Sequence, residues 1–173
     1  MRMELLEYGG VASAIKALHL PYGSEGDSHF GARAYTSNSM SCDVSIGQGD
    51  LTLLRKLVKG GDEHAKVLRG IIYWIDITAP RYWWVEMDTY RFGRECLSSE
   101  STMHEYKDLS GAELQKVKSE MTEGTFQRRI VTFSLQTLLR IIRQRSGHRL
   151  PEWHKFCNFA KDLPIMNLIT KGE

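Results

Sequence analysis

The chain has 173 residues, 42% apolar and 25% charged, with a formal net charge of +2 and a pI near 8.4. That length suits one domain, 1–173, with a sizeable core, and the charge balance falls short of the basic surplus of a general nucleic-acid binder. The longest apolar run, around residues 71–77, is broken by Asp76 and is too short to span a bilayer.

Glu4 and Glu7 interrupt the N-terminal region, so no signal peptide is expected there. Cys42, Cys96 and Cys157 are odd in number and form no C-x-x-C pair. Reduced thiols and a cytoplasmic setting follow (a host cytoplasm if the gene is viral), and no zinc site is expected. Residues 11–20 predict a short helix closed by Pro21, then a Gly/Ser-rich loop through Asp27. Residues 31–49 read as polar loop with room for one short strand. Asp50 is the expected N-cap of a second helix, on which Leu51, Leu54, Leu57 and Val58 recur at helical spacing before Gly60-Gly61.

Residues 71–78, dense in β-branched and aromatic side chains, predict the clearest strand. Ala79-Pro80 ends it, and Pro80 suits the first turn of a helix to about Tyr90 carrying Trp83, Trp84 and Met87 inward. Residues 92–106 read as irregular, and 112–121 as a polar surface helix. Ser134 caps a helix with Leu135, Leu138, Leu139 and Ile142 on one face. Pro151 opens another, to about Leu163, with Trp153, Phe156, Cys157 and Ala160 inward. Without regular strand–helix alternation, these elements imply an α+β fold.

Residues 128–149 hold six arginines (Arg128, Arg129, Arg140, Arg143, Arg145 and Arg149) and no carboxylate. Arginine's planar fork matches phosphate geometry, so the cluster predicts an anionic ligand, with Arg128 and Arg145 sharing one pocket. The alternative is salt bridging to Glu100, Asp88 or Glu86. Arg129 and Arg143 read as solvated or interfacial. Residues 98–104 gather hydroxyls, Glu100 and His104, suited to reading a ribose or pyrimidine edge, or forming an ordinary Ser/Thr-rich turn. Trp83 and Trp84, with Tyr82 and Tyr90, suit either a stacked ring or the core. His64 and His148 read as polar boundary residues, and no trio has metal-ligand spacing.

Taken in order, these segments resemble the flavin-dependent thymidylate synthases. Residues 50–57, followed by glycines and His64, are similar to the family's helix leading into its Gly-His…Glu-His segment, and a strand ending in Ala79-Pro80 follows at matching distance. The family's Arg-His-Arg falls on Thr89-Tyr90-Arg91. Its Asn-Glu-x-Ser-x-Arg element falls on Ser99-Glu100-Ser101-Thr102-Met103-His104, after a short insertion. Its closing block looks like Arg128-Arg129-Ile130-Val131 through Arg145-Ser146-Gly147-His148, ahead of Glu152-Trp153. The likeness spans roughly residues 50–160, placing the synthase-like core at about 50–163.

The resemblance implies a small, mostly antiparallel sheet packed with several helices. It also implies a homotetramer binding FAD across subunits and using NADPH and methylenetetrahydrofolate to methylate dUMP. It places Arg91, Ser99, Glu100, Ser101, Thr102, Arg128 and Arg145 at an anionic nucleotide, and His64, Tyr90, Arg140 and His148 at the cofactor. It assigns neither a catalytic residue nor a metal. The departures are Thr89 and Tyr90 within the Arg-His-Arg motif, Arg69-Gly70 in place of Glu-His, and Arg140 near an expected Asn. Three readings follow: a divergent pyrimidine-nucleotide C5 methylase, an inactive nucleotide-binding or sequestering protein on the same fold, and an assembly protein.

Overall fold

A computed structural model describes residues 1–23, 30–31 and 45–170. The elements run β1 (Arg2–Gly9), α1 (Val11–His19), a 3-10 turn (Leu20–Tyr22), β2 (Phe30–Gly31), β3 (Ser45–Ile46), α2 (Gln48–Lys59) and a 3-10 segment (His64–Gly70). Then come β4 (Ile72–Pro80), α3 (Arg81–Met87), β5 (Arg94–Ser99), α4 (Thr102–Glu105), α5 (Gly111–Glu120), β6 (Phe126–Ser134), α6 (Leu135–Arg145), α7 (Pro151–Lys161) and α8 (Met166–Thr170). The main sheet has the order β1-β4-β6-β5 and every pair is antiparallel; β2 and β3 form a separate ribbon. The α+β expectation and the small antiparallel sheet are both observed.

β4 lies between two partners because its side chains suit a pleated interior. Tyr73, Ile75, Ile77 and Ala79 are fully buried, while the intervening Ile72, Trp74 and Thr78 are half-buried. Register places Tyr73 opposite Phe133 and Ile75 opposite Val131, all without solvent exposure. Trp83, Trp153 and Phe156 close the core over that face, with Trp83 centred 5.0 Å from Trp153 and 5.5 Å from Phe156. Trp83 and Trp84 are thus both core residues, and Trp84 Nε1 donates to the Gln127 carbonyl.

Several expectations need correction. Residues 2–9, given no element from sequence, form edge strand β1, whose alternation is blurred by Glu4 and Glu7 and by a register shift between Leu5 and Glu7. Residues 92–106, expected to be irregular, contain β5 and α4. β5 is almost wholly exposed, so it carries no apolar period to read. Arg128 and Arg129 hide β6, and α8 was not anticipated. Asp50 is not the N-cap of α2. Gly47 is, and Asp50 is buried within the first turn, 2.5 Å from His19 Nε2. The expected loop through Asp27, and most of the one expected over residues 31–49, lie outside the described residues. Among the described residues no helix is long and apolar enough to cross a membrane.

Candidate functional site

The site begins where β6 passes into α6. Ser134 ends the strand and caps the helix, its hydroxyl accepting from Thr137 N at 3.2 Å and donating to Thr137 Oγ1 at 3.0 Å. The turn before β5 is fastened to this corner. The Gly93 carbonyl accepts from Ser134 N at 2.7 Å, and the Phe92 carbonyl from the Thr137 hydroxyl at 2.9 Å. Gly93 has φ +71°, and a Cβ there would stand 2.6 Å from Ser134 Oγ and closer still to Thr137 Oγ1. Only glycine lets the backbone approach this closely.

Beside the corner opens a cleft of about 430 Å3, within the usual range for small-molecule sites. Ser134, Gln136 and Thr137 border it, with Ile72, Phe92 and Gly93; Arg69 and Arg140 bring the charge. Phe92 is 82% exposed. Gln136, only 6% exposed, accepts from Arg69 Nε at 2.6 Å and donates to the Asp62 carbonyl at 2.8 Å, so one buried amide ties the arginine to the loop after α2. Arg140 Nε is 3.8 Å from Asp62 Oδ2, beyond hydrogen-bonding distance. The first turn of α6 adds its own partial positive charge.

The arginines expected to share one pocket lie elsewhere. Arg128, on β6, makes a forked pair with Asp76 on β4, its Nε 2.9 Å from both carboxylate oxygens. Arg145, at the end of α6, donates to Tyr90 Oη at 2.8 Å and to Glu86 Oε2 at 2.9 Å, and sits 4.6 Å from the Trp153 ring centroid. Neither borders the cleft. Glu86 is one of the acids named as an alternative partner; Asp76 was not foreseen. Arg129, expected to be solvated or interfacial, is only 17% exposed in its side chain, paired with Asp88 and stacked 4.4 Å from the Trp84 centroid.

Of the remaining candidates, Tyr90, Arg145 and His148 come together around Glu86, with His148 Nε2 3.4 Å from Oε2. Arg140 reaches the cleft, and Arg91 is exposed just before it in the chain. Glu100 N donates to the Arg128 carbonyl, Ser99 lies opposite Arg129, and Ser101 caps α4, which opens at Thr102. His64 is exposed at the start of its 3-10 segment. Sequence reasoning missed Arg69, Phe92, Gly93, Gln136 and Thr137. The available signal was Arg69 itself, a cation in the position where the resemblance expects a carboxylate.

The Arg128 hydrogen bond holds the Asp76 carboxyl below its ordinary 3.8, against partial burial that pushes the other way. A depressed folded-state value means the pair stabilises the fold above the unfolded pKa and loses that contribution as pH falls through the folded one. Asp76→Asn should therefore flatten the acid limb of stability below about pH 4, read as urea midpoints in pH steps. An unchanged acid limb would deny the coupling.

No protein-family model matches the chain, and no curated protein matches it by sequence. Solved structures do match. Flavin-dependent thymidylate synthase ThyX from Helicobacter pylori, complexed with FAD and dUMP, superposes with a TM-score of 0.70 at 16% identity over 99% of both chains. A second structure of that enzyme with FAD and dUMP gives 0.71 at 14% identity, over 99% of this chain and 98% of the other. The chain therefore has the fold of the flavin-dependent thymidylate synthases, as the order of its motifs led us to expect.

Proposed function

We propose that the protein binds a phosphorylated nucleotide of the FAD or dUMP class, seating phosphate between Arg69 and Arg140 at the first turn of α6. One observation carries this reading: among the described residues these two guanidinium groups border the cleft, and no described acid holds either at hydrogen-bonding distance. Arg69 spends a donor on the neutral Gln136 amide, and the Asp62 carboxylate stands 3.8 Å from Arg140. Arg128 and Arg145, by contrast, each hold a carboxylate at 2.9 Å or less.

A charge-assisted arginine–phosphate hydrogen bond contributes roughly 1.5–3 kcal/mol, and an aromatic platform such as exposed Phe92 adds about 1–3 kcal/mol per stacked base. Two such bonds and one stack sum to roughly 4–9 kcal/mol before association costs, so micromolar affinity needs further contacts to the rest of the nucleotide. The residues present fit the phosphate portion of FAD: two cations for two charges, a backbone turn kept open by Gly93, and a ring platform at Phe92. A flavin held there would supply hydride transfer. The chain's part is to bind and orient, because the Ser134 and Thr137 hydroxyls are already committed to each other and to the Phe92 carbonyl.

The second reading is dUMP-type C5 methylation with NADPH and methylenetetrahydrofolate, favoured by a likeness to the ThyX structures that spans the whole chain. Binding is the better supported of the two. Among the described residues bordering the cleft there is no carboxylate, imidazole or thiol able to move a proton, and Arg69-Gly70 replaces the expected Glu-His.

Fluorescence titration of FAD and of dUMP tests the proposal. Arg140→Ala should weaken whichever ligand binds at least tenfold. Wild-type affinity in that variant, or no binding of either ligand to wild-type protein, contradicts it. Folate- and dUMP-dependent NADPH oxidation decides for the second reading.

A further inference from the structure

Asp62 has an unusual position among the acids that face arginines in this chain. Its carboxylate lies 3.8 Å from Arg140 Nε and 3.7 Å from Arg143 NH1, both too long for hydrogen bonds. The Asp88–Arg94 and Glu86–Arg145 pairs close to 2.7 and 2.9 Å, the ordinary range for charge-assisted bonds. The looseness does not come from a wandering backbone. The Asp62 carbonyl is held at 2.8 Å by the buried Gln136 amide, whose other end holds Arg69. The loop is fixed while the carboxylate hovers between two guanidinium groups without engaging either. All three of these side chains are solvent-reachable, at 49% for Asp62, 39% for Arg140 and 49% for Arg143.

We infer that Asp62 is a resident counter-anion, displaced from Arg140 and Arg143 by an incoming phosphate group that bears two negative charges. The inference rests on the nucleotide reading above and names the anion that reading requires. Arg140 and Arg143 bring two positive charges to one carboxylate, and its displacement leaves both to be matched. A phosphate monoester carries about −1.5 to −2 at neutral pH, and the two bridging phosphates of a dinucleotide also carry two. A singly charged anion would leave one cation unmatched.

Displacement is inexpensive because a half-exposed, unbonded ion pair contributes little. The new bonds would be bidentate and charge-assisted, and Arg143 becomes a third phosphate ligand. It lies one turn from Arg140 on α6 and currently makes a 3.4 Å contact with the Val58 carbonyl. Asp62 then acts as a filter. A monoanion that displaces it merely replaces one negative charge with another, whereas a doubly charged phosphate adds a second charge and a second fork of bonds.

The experiment titrates FAD and dUMP separately against wild-type protein, Asp62→Asn and Glu120→Gln. Glu120 is an exposed carboxylate outside the cleft, so its variant matches the change in net charge. Asparagine keeps the backbone carbonyl that Gln136 uses. The expected result is a Kd about tenfold tighter in Asp62→Asn and unchanged in Glu120→Gln. The ligand that tightens identifies the source of the phosphate, a pyrimidine monophosphate or a flavin dinucleotide. Binding by Asp62→Asn alone, with none by wild-type protein, also supports the inference, as a stronger block. If wild-type protein binds and Asp62→Asn is no tighter, or if both variants tighten equally, the inference about Asp62 falls while the nucleotide reading stands. No binding by any of the three proteins removes both.

Discussion

Gly93→Ala is expected to destabilise the fold by about 3 kcal/mol and to abolish nucleotide binding. The residue sits at φ +71°, where an L side chain is strained whatever space surrounds it. Space is also lacking: the added methyl would stand 2.6 Å from Ser134 Oγ and nearer to Thr137 Oγ1. Those hydroxyls cannot retreat cheaply. Each takes part in the cap of α6, and the Gly93 carbonyl itself accepts the Ser134 amide. The methyl therefore strains the turn, loosens the helix cap and narrows the cleft through one backbone position. Urea unfolding and FAD or dUMP titration check the two effects. A variant with wild-type stability would show that the strand–helix corner is not built as described.

Glu86→Ala should also lose about 3 kcal/mol, by a different route. One carboxylate oxygen receives Arg145 at 2.9 Å and Trp153 Nε1 at 2.9 Å, with His148 at 3.4 Å. Trp153 is fully buried, so its indole N–H would be left without a partner, and Arg145 would keep only Tyr90 as a hydrogen-bond acceptor. Glu86 is itself about one-third exposed in its side chain, which keeps the effect below that of a fully buried ion pair. Glu86→Gln retains an acceptor for the indole and should recover roughly half of the loss. Denaturant midpoints for the two variants test this, and equal midpoints would mean that the carboxylate's charge contributes all of the effect. Because Arg145, Tyr90 and His148 meet here, the cluster reads as a brace between α3, α6 and α7.

The buried parts of the fold were legible because they carry a period. β4 announces itself through Tyr73, Ile75 and Ile77, α6 through the stripe beginning at Leu135 behind a Ser134 cap, and α7 through Trp153, Phe156 and Ala160 behind Pro151. The exposed edges were not legible. β1 mixes glutamates into its alternation, and β5 buries almost nothing, so neither strand shows the contrast that a sequence reader needs.

The site was harder for another reason. The arginine cluster falls on β6 and α6, but sequence does not say which guanidinium meets which acid. Asp76 lies 52 residues from Arg128 and Glu86 59 from Arg145, and only sheet register and helix docking bring them together. Arg69, from the segment before β4, borders the cleft, and Asp62 from the same segment stands 3.8 Å from Arg140. No local pattern announces that encounter. Gln136 is a buried polar residue beside the apolar stripe of α6, and its two partners become visible only in the folded chain.

A crystal structure of the protein grown with FAD or dUMP would show where the phosphate is held. Phosphate should appear at the first turn of α6, hydrogen-bonded to Arg69 and Arg140, with the Asp62 carboxylate turned away. A nucleotide whose phosphate lies instead on Arg128 or Arg145, with Asp76 or Glu86 displaced and the α6 cleft empty, would contradict it.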